Sequence, residues 1–202
     1  WLAINPGTDA ALAMAMGHVM LKECYVDREV PYFQRYARQY TDLPNLVALE
    51  TTADGTLRPG RFLRASDLGG AHAESEQAEW RTVMLDEVSG ELVVPNGSIG
   101  DRWTDEGEGR WNLELGDVTP ALTLLGRHDE VVDIGVSVFG ADGPRHAALI
   151  QRGVPVKRLA DGTLVTTVLD LTLAQYGVGR QAMTGSWPAS YEDDQPFTPA
   201  WQ

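Results

Sequence analysis

Residues 1–23, WLAINPGTDAALAMAMGHVMLKE, constrain the fold more than any other stretch of the chain. An apolar run from Trp1 to Ile4 meets Asn5-Pro6-Gly7, then Thr8-Asp9, then a long Ala/Leu/Met segment. That order predicts a buried strand, a tight turn and a helix, capped by Thr8 or Asp9, that reaches about Tyr25. Ala10 to Met16 are apolar at every helical position, so the first half of the helix is expected to be buried on all sides. Lys22 and Glu23 mark the end that emerges into water. His18 lies within the apolar surface with no second ligand four residues on, the pattern of a hydrogen-bonded core histidine rather than a metal ligand.

Asp27 is the predicted N-cap of a second helix with Pro31 in its first turn. Phe33, Tyr36 and Tyr40 then recur at helical spacing, as one aromatic face for packing. Thr41-Asp42-Leu43-Pro44 ends this helix. From residue 46 the texture changes to short apolar runs and frequent turns. Leu46 to Leu49 and Thr56 to Arg64 read as a hairpin around Ala53-Asp54-Gly55, its return strand weakened by Pro59-Gly60. Residues 69–79 read as an exposed loop, and Trp80 to Leu85 with Glu91 to Val94 as another hairpin. Further strands are expected at Trp111 to Leu115, Val131 to Phe139 and Val154 to Leu159. The last of these pairs with Leu164 to Val168 across Ala160-Asp161-Gly162. Helix returns at Asp170 to Tyr176, with Asp170 as N-cap and Gly177 as its stop, and 179–196 reads as loop. The fold class is α/β.

Several functions are disfavoured by composition. A formal charge of −13 over 202 residues argues against a broad nucleic-acid-binding surface. No apolar run approaches the roughly 20 residues that span a bilayer. Cys24, the single cysteine, rules out an intramolecular disulfide and a cysteine metal cage; a buried mid-helix thiol is expected. The chain opens on Trp1 without Met or a basic leader. It stops at Phe197-Thr198-Pro199-Ala200-Trp201-Gln202, where Thr before Pro announces a helix. A segment cut from a longer protein is expected.

No self-contained active site can be assembled from these residues. His18, His72, His128 and His146 fall in no metal-ligand spacing, and no G-x-S-x-G or Walker-type sequence is present. No catalytic or metal-binding residue is assigned. Asp105, Glu106 and Glu108 read as solvated surface, and Asp101-Arg102 beside Trp103 as a local ion pair. Specific chemistry is carried by Gly7-Thr8-Asp9. A helix N-terminus offers unpaired N–H groups to an anion or nucleotide, and Gly7 permits close approach. The Asp9 carboxylate can accept two parallel hydrogen bonds from a guanine edge. The same three residues also suffice simply to cap a helix.

Pro6-Gly7-Thr8-Asp9-Ala10-Ala11-Leu12 resembles the P-G-T-D-x-A-L signature of the molybdopterin oxidoreductases, the dimethyl-sulfoxide-reductase superfamily. Within it, the chain resembles the catalytic alpha subunits of respiratory nitrate reductases. The matching text is the opening 23 residues, YFQRYARQYTDLPNLV, PNGSIGDRW with GRWNLE, VPVKRLADGTLVTTVLDLTLAQYG and FTPAW. The resemblance implies a parent with a bis-molybdopterin-guanine-dinucleotide molybdenum centre and one 4Fe-4S cluster, both held by residues outside this chain. It implies nitrate reduction to nitrite on the cytoplasmic face of the membrane, with an iron–sulfur beta subunit and a quinol-oxidising membrane gamma subunit as partners. Gly7, Thr8 and Asp9 are the implied guanine-end contacts. Residues 1–45 then begin a Rossmann-like cofactor domain (strand, turn, helix and second helix). A strand-rich α+β insertion occupies 46–168, and 169–202 returns to the cofactor domain. Roughly 46–195 is read as elaboration that shapes a substrate funnel or docks the beta subunit. A chlorate-, perchlorate- or selenate-reducing relative is the alternative, since the resemblance puts substrate choice near a metal site outside this chain.

Overall fold

The structure, a computed structural model, describes residues 5–7, 9–96, 102–103, 109–110, 114–140 and 143–188. The predicted strand at Trp1 to Ile4, the acidic loop 104–108, most of the predicted strand 111–115, Glu192-Asp193-Asp194 and the helix start at Thr198-Pro199 lie outside these residues.

Helix α1 (Asp9–Met20) runs without a break into a π-helical stretch, Leu21–Val26, so the helical run ends near the expected Tyr25. Asp27 closes that stretch and pairs through its carboxylate with Lys22 at 2.7 Å. It does not cap α2 (Pro31–Tyr40). Val30 precedes that helix with no side-chain cap, and Pro31 supplies the fixed φ that starts it. The expected aromatic face of α2 is divided. Phe33 turns inward against Tyr25, ring centroids 5.9 Å apart, while Tyr32, Tyr36 and Tyr40 form an exposed ladder with centroids 6.1 and 5.3 Å apart.

Strands β1 (Leu46–Thr51) and β2 (Leu57–Phe62) form the expected hairpin. Short pairs follow: β3 (Met84–Leu85) with β4 (Leu92–Val93), and β5 (Arg102–Trp103) with β6 (Gly109–Arg110). A four-residue helix, α3 (Gly70–Ala73), stands in the stretch expected to be loop. The long hairpin β7 (Glu130–Gly140) and β8 (Gly143–Arg158) exceeds the sequence expectation, which recognised only the far end of β8. That end, at Lys157 and Arg158, pairs with β9 (Leu164–Thr167), and β9 pairs with β1. One parallel contact, Leu57 opposite Ile134, joins β2 to β7 and closes a five-stranded barrel, β1-β2-β7-β8-β9. The molecule is therefore mixed α/β, with its described sheet mainly antiparallel.

Helix α4 (Val168–Tyr176) leaves β9 directly and organises both halves of the core. Ala174 packs with Leu49, Ile134, Val154 and Val156 of the barrel. Leu169 and Leu173 pack with Leu21, Tyr25 and Ala37 of the helical layer and with Leu122 and Val178. The N-cap of α4 is Thr167, not Asp170: the Thr167 hydroxyl accepts from Asp170 N–H at 3.1 Å. Asp170 sits one turn in because its carboxylate is needed elsewhere. It accepts from the Thr123 hydroxyl at 2.6 Å, Leu124 N–H at 2.9 Å and Arg180 Nη2 at 2.7 Å. The Thr167 hydroxyl oxygen lies 2.9 Å from both Leu122 O and Asp170 Oδ2, and its single proton serves these two acceptors. Asp170 is fully buried and the Arg180 side chain is 7% exposed. Gly177 closes the helix in the left-handed conformation, as the sequence predicts.

Removing one member of such a pair strands a buried charge. Asp170→Ala is expected to cost about 3–5 kcal/mol, read as a lowered urea midpoint. A loss under about 1 kcal/mol, the size of an exposed pair, would show that this ion pair does not hold the fold.

Candidate functional site

The predicted Gly7-Thr8-Asp9 contact stands at the start of α1, with Thr8 itself outside the described residues. Gly7 has φ +82°, and a Cβ built on it would meet nothing within 4 Å. The left-handed backbone, and not crowding, is what calls for glycine here. Asp9 is exposed in the first helical turn. The carboxylate and the turn therefore face open space that a flat ligand edge can enter.

Further along, α1 is fastened to α4. Gly17 lies so close to Tyr176 that a Cβ would come within 2.5 Å of the ring. His18 is 4% exposed, and its Nδ1 lies 2.7 Å from Tyr176 O. It is the hydrogen-bonded core histidine that the sequence predicts. Arg152, wholly buried on β8, reaches the same end of α4. Its guanidinium donates to Ala174 O and, through Nε, to Ser186 O at 3.0 Å, and lies 5.4 Å from the Trp187 ring centroid. Desolvation pulls its pKa down to about 10, so it stays cationic. A cation at the C-terminal end and Asp170 in the first turn both complement the helix dipole.

A cleft of about 940 Å³ opens between the π-helical stretch, α2, residues 121–127 and the 179–188 segment. Arg38, Arg127 and Arg180 line it, together with Tyr25, Leu122 and Trp187. Each guanidinium has an acidic partner. Glu87 takes Arg38 Nη2 at 2.5 Å and Arg127 Nη2 at 3.2 Å, and Asp170 takes Arg180. Asp27 and Glu29 also face the cleft, so its charge is nearly balanced. Burial raises the Tyr25 hydroxyl above the usual phenol range, leaving a neutral group. The arrangement can hold a surface of mixed charge. The sequence reading missed it because its walls come from stretches as far apart as Tyr25 and Pro188, and no local pattern joins them.

Among the described residues no group of three or more His, Cys, Asp or Glu can hold a metal ion. No described helix is long and apolar enough to cross a membrane. Cys24 is half-buried in the π-helical stretch, less enclosed than expected. Arg102 and Trp103 are placed only as backbone, so the Asp101-Arg102 pair lies outside the described residues.

No family model matches the chain. Individual proteins do. The nitrate reductase alpha subunit of Mycobacterium tuberculosis (strain H37Rv) is 49% identical over 210 residues, which takes in the whole chain. The respiratory nitrate reductase 1 alpha chain of Escherichia coli is 47% identical over 217 residues, again the whole chain. These 202 residues belong with the nitrate reductase alpha subunits. The chain spans only 16–17% of the length of those two relatives. The perchlorate reductase alpha subunit of Dechloromonas aromatica is more distant, 30% identical over 183 residues and 80% of the chain. The match to the alpha subunits runs the full length of the chain.

His18 makes the docking of α1 sensitive to pH. Burial, helped by Lys22 and Arg152, lowers its pKa below 6.5 against the opposing pull of Tyr176 O. Well above pH 6.5 the ring is neutral whether folded or unfolded. As pH falls below that value the unfolded chain binds the proton first, so stability is lost toward the folded pKa. The melting temperature is expected to fall between about pH 7 and pH 5, with the His18 contribution absent in His18→Gln. Equal slopes in both proteins would refute it.

Proposed function

We propose that these residues are one segment of a nitrate-reducing alpha subunit, and that the segment holds the guanine end of its molybdenum cofactor. The observation that carries this is an overall identity of 47–49% to named nitrate reductases in alignments that take in the whole chain. Nitrate is favoured over perchlorate because the perchlorate-reducing relative is less similar and matches less of the chain. In this reading 1–45 and 169–202 belong to the cofactor domain and 46–168 is an insertion.

The exposed Asp9 carboxylate and the open turn at Gly7 fit a guanine edge. Two charge-assisted hydrogen bonds from guanine to Asp9, beside the free N–H groups of α1, would orient the nucleotide. The described side chains do not fit the metal or a cluster. Molybdenum, held by other residues of the parent, would supply the oxygen-atom chemistry, while this segment supplies orientation. Electrons would come from an iron–sulfur subunit of a membrane-associated complex. The balanced cleft, where Arg38 and Arg180 of the cofactor-domain segments meet Glu87 and Arg127 of the insertion, favours a second role for the segment as a whole, docking that subunit through surfaces of mixed charge.

In the full-length enzyme, Asp9→Ala is expected to remove about 1.5–3 kcal/mol of cofactor binding, a roughly tenfold or greater loss of retention. Molybdenum content after gel filtration and nitrate-dependent oxidation of a viologen dye both read it. Unchanged metal content and rate would rule Asp9 out as a contact. The 202-residue chain alone is expected to reduce no nitrate with the same donor, and measurable turnover would overturn the assignment of the chemistry to other residues.

A further inference from the structure

Helix α1 has two apolar faces, and the described structure covers one. His18 and Leu21 are buried against α4 and the helical layer. At about 100° per residue, Met16 and Met20 point about 160° to either side of His18, that is, away from the core. Met16 is 55% exposed and Met20 54%, with Val19 at 37% and Ala13 exposed beside them. This contradicts the expectation of all-round burial and leaves a stripe, Ala13-Met16-Met20, at the three-and-four spacing of a packing seam.

We propose that this stripe is an internal seam of the parent subunit, covered by an apolar segment of the same polypeptide from outside these 202 residues. The inference rests on the reading of the chain as part of a longer subunit. Two observations select that occupant. Three large side chains fall far short of the roughly 800 Å² per partner that a separate molecule or a second copy needs to associate stably. A segment of the same chain carries no such requirement, because its translational freedom is already lost. The relatives place 83–84% of their length outside the matching stretch, so ample chain is at hand. The unbranched thioethers of Met16 and Met20 adapt to an irregular opposing surface. Covering them would also hold α1, and with it Gly7 and Asp9, from the side opposite α4.

Peroxide footprinting with peptide mass analysis tests it, since methionine oxidation follows exposure. Met84, which has no exposed surface, serves as the slow reference. In the native full-length subunit, Met16 and Met20 are expected to oxidise as slowly as Met84. In the 202-residue chain they are expected to oxidise at least about tenfold faster than Met84. Rapid oxidation in the native subunit overturns the proposal. Slow oxidation in the short chain also overturns it, since this chain would then cover its own helix. If Met84 also reacts rapidly in the short chain, that chain is unfolded and the native subunit alone decides. As an independent readout, Met16→Lys is expected to lower the melting temperature of the full-length subunit while Met16→Leu preserves it; equal values for both overturn the seam. Failure of the underlying reading is separately visible: an antibody to residues 31–40 would detect no polypeptide longer than this chain in native extracts.

Discussion

The buried carboxylate of Asp170 is the constraint on which the rest of the structure depends. It joins α4 to the 122–124 segment through Thr123 and Leu124, and to the segment after α4 through Arg180. Thr123 uses its whole capacity, donating to Asp170 and accepting from Arg180 Nη1 at 2.8 Å and Leu125 N–H at 3.0 Å. A charge at this depth is tolerated only because the donors around it replace water. Helix α4, the segment that follows it and the 122–124 segment, which lies 46 residues earlier at Leu124, are thereby held in one relative position.

From that anchor the two layers follow. One side of α4 seals the barrel with Ala174, and another receives Leu21, Tyr25 and Ala37 from the first helices. The C-terminal end of α4 takes Arg152 from the barrel and His18 from α1. The segment at 184–186 lies close along β8, with Gly153 N–H donating to Thr184 O and Ser186 N–H to Gln151 O. A side chain at Gly185 would strike Gln151 O, so the close approach itself requires glycine. The cleft wall at 179–188 is thus fixed from both sides. Helix α1, which carries Gly7 and Asp9 at its start, is held against α4 through His18 and Gly17.

Much of the local structure was legible because its signals are local. Pro31, Gly177 and the Asp54-Gly55 turn act through backbone geometry within a few residues, and the elements they bound formed as expected. Errors arose where a residue had a choice of partners. Asp27 and Asp170 both have the chemistry of an N-cap, but Lys22 claims the first and Arg180 with Thr123 the second. Tyr36 and Phe33 are both aromatic on one helix, yet only Phe33 meets Tyr25. The first half of β8 was missed because Gly143 to Gln151 lacks a clear alternation of apolar and polar residues; pairing with β7 supplies what propensity does not.

The sequence by itself determined the strand-rich middle, the flanking helices, the Gly7-Thr8-Asp9 motif and membership among the nitrate reductase alpha subunits. These are properties of residue order, carried by short-range geometry and by wording that relatives share. The tertiary structure alone decided that five strands close through a single pair at Leu57 and Ile134, and that Arg38, Arg127 and Arg180 meet in one cleft. It alone left one face of α1 bare. Which groups share a buried space depends on chain closure over more than a hundred residues, and no local preference encodes that.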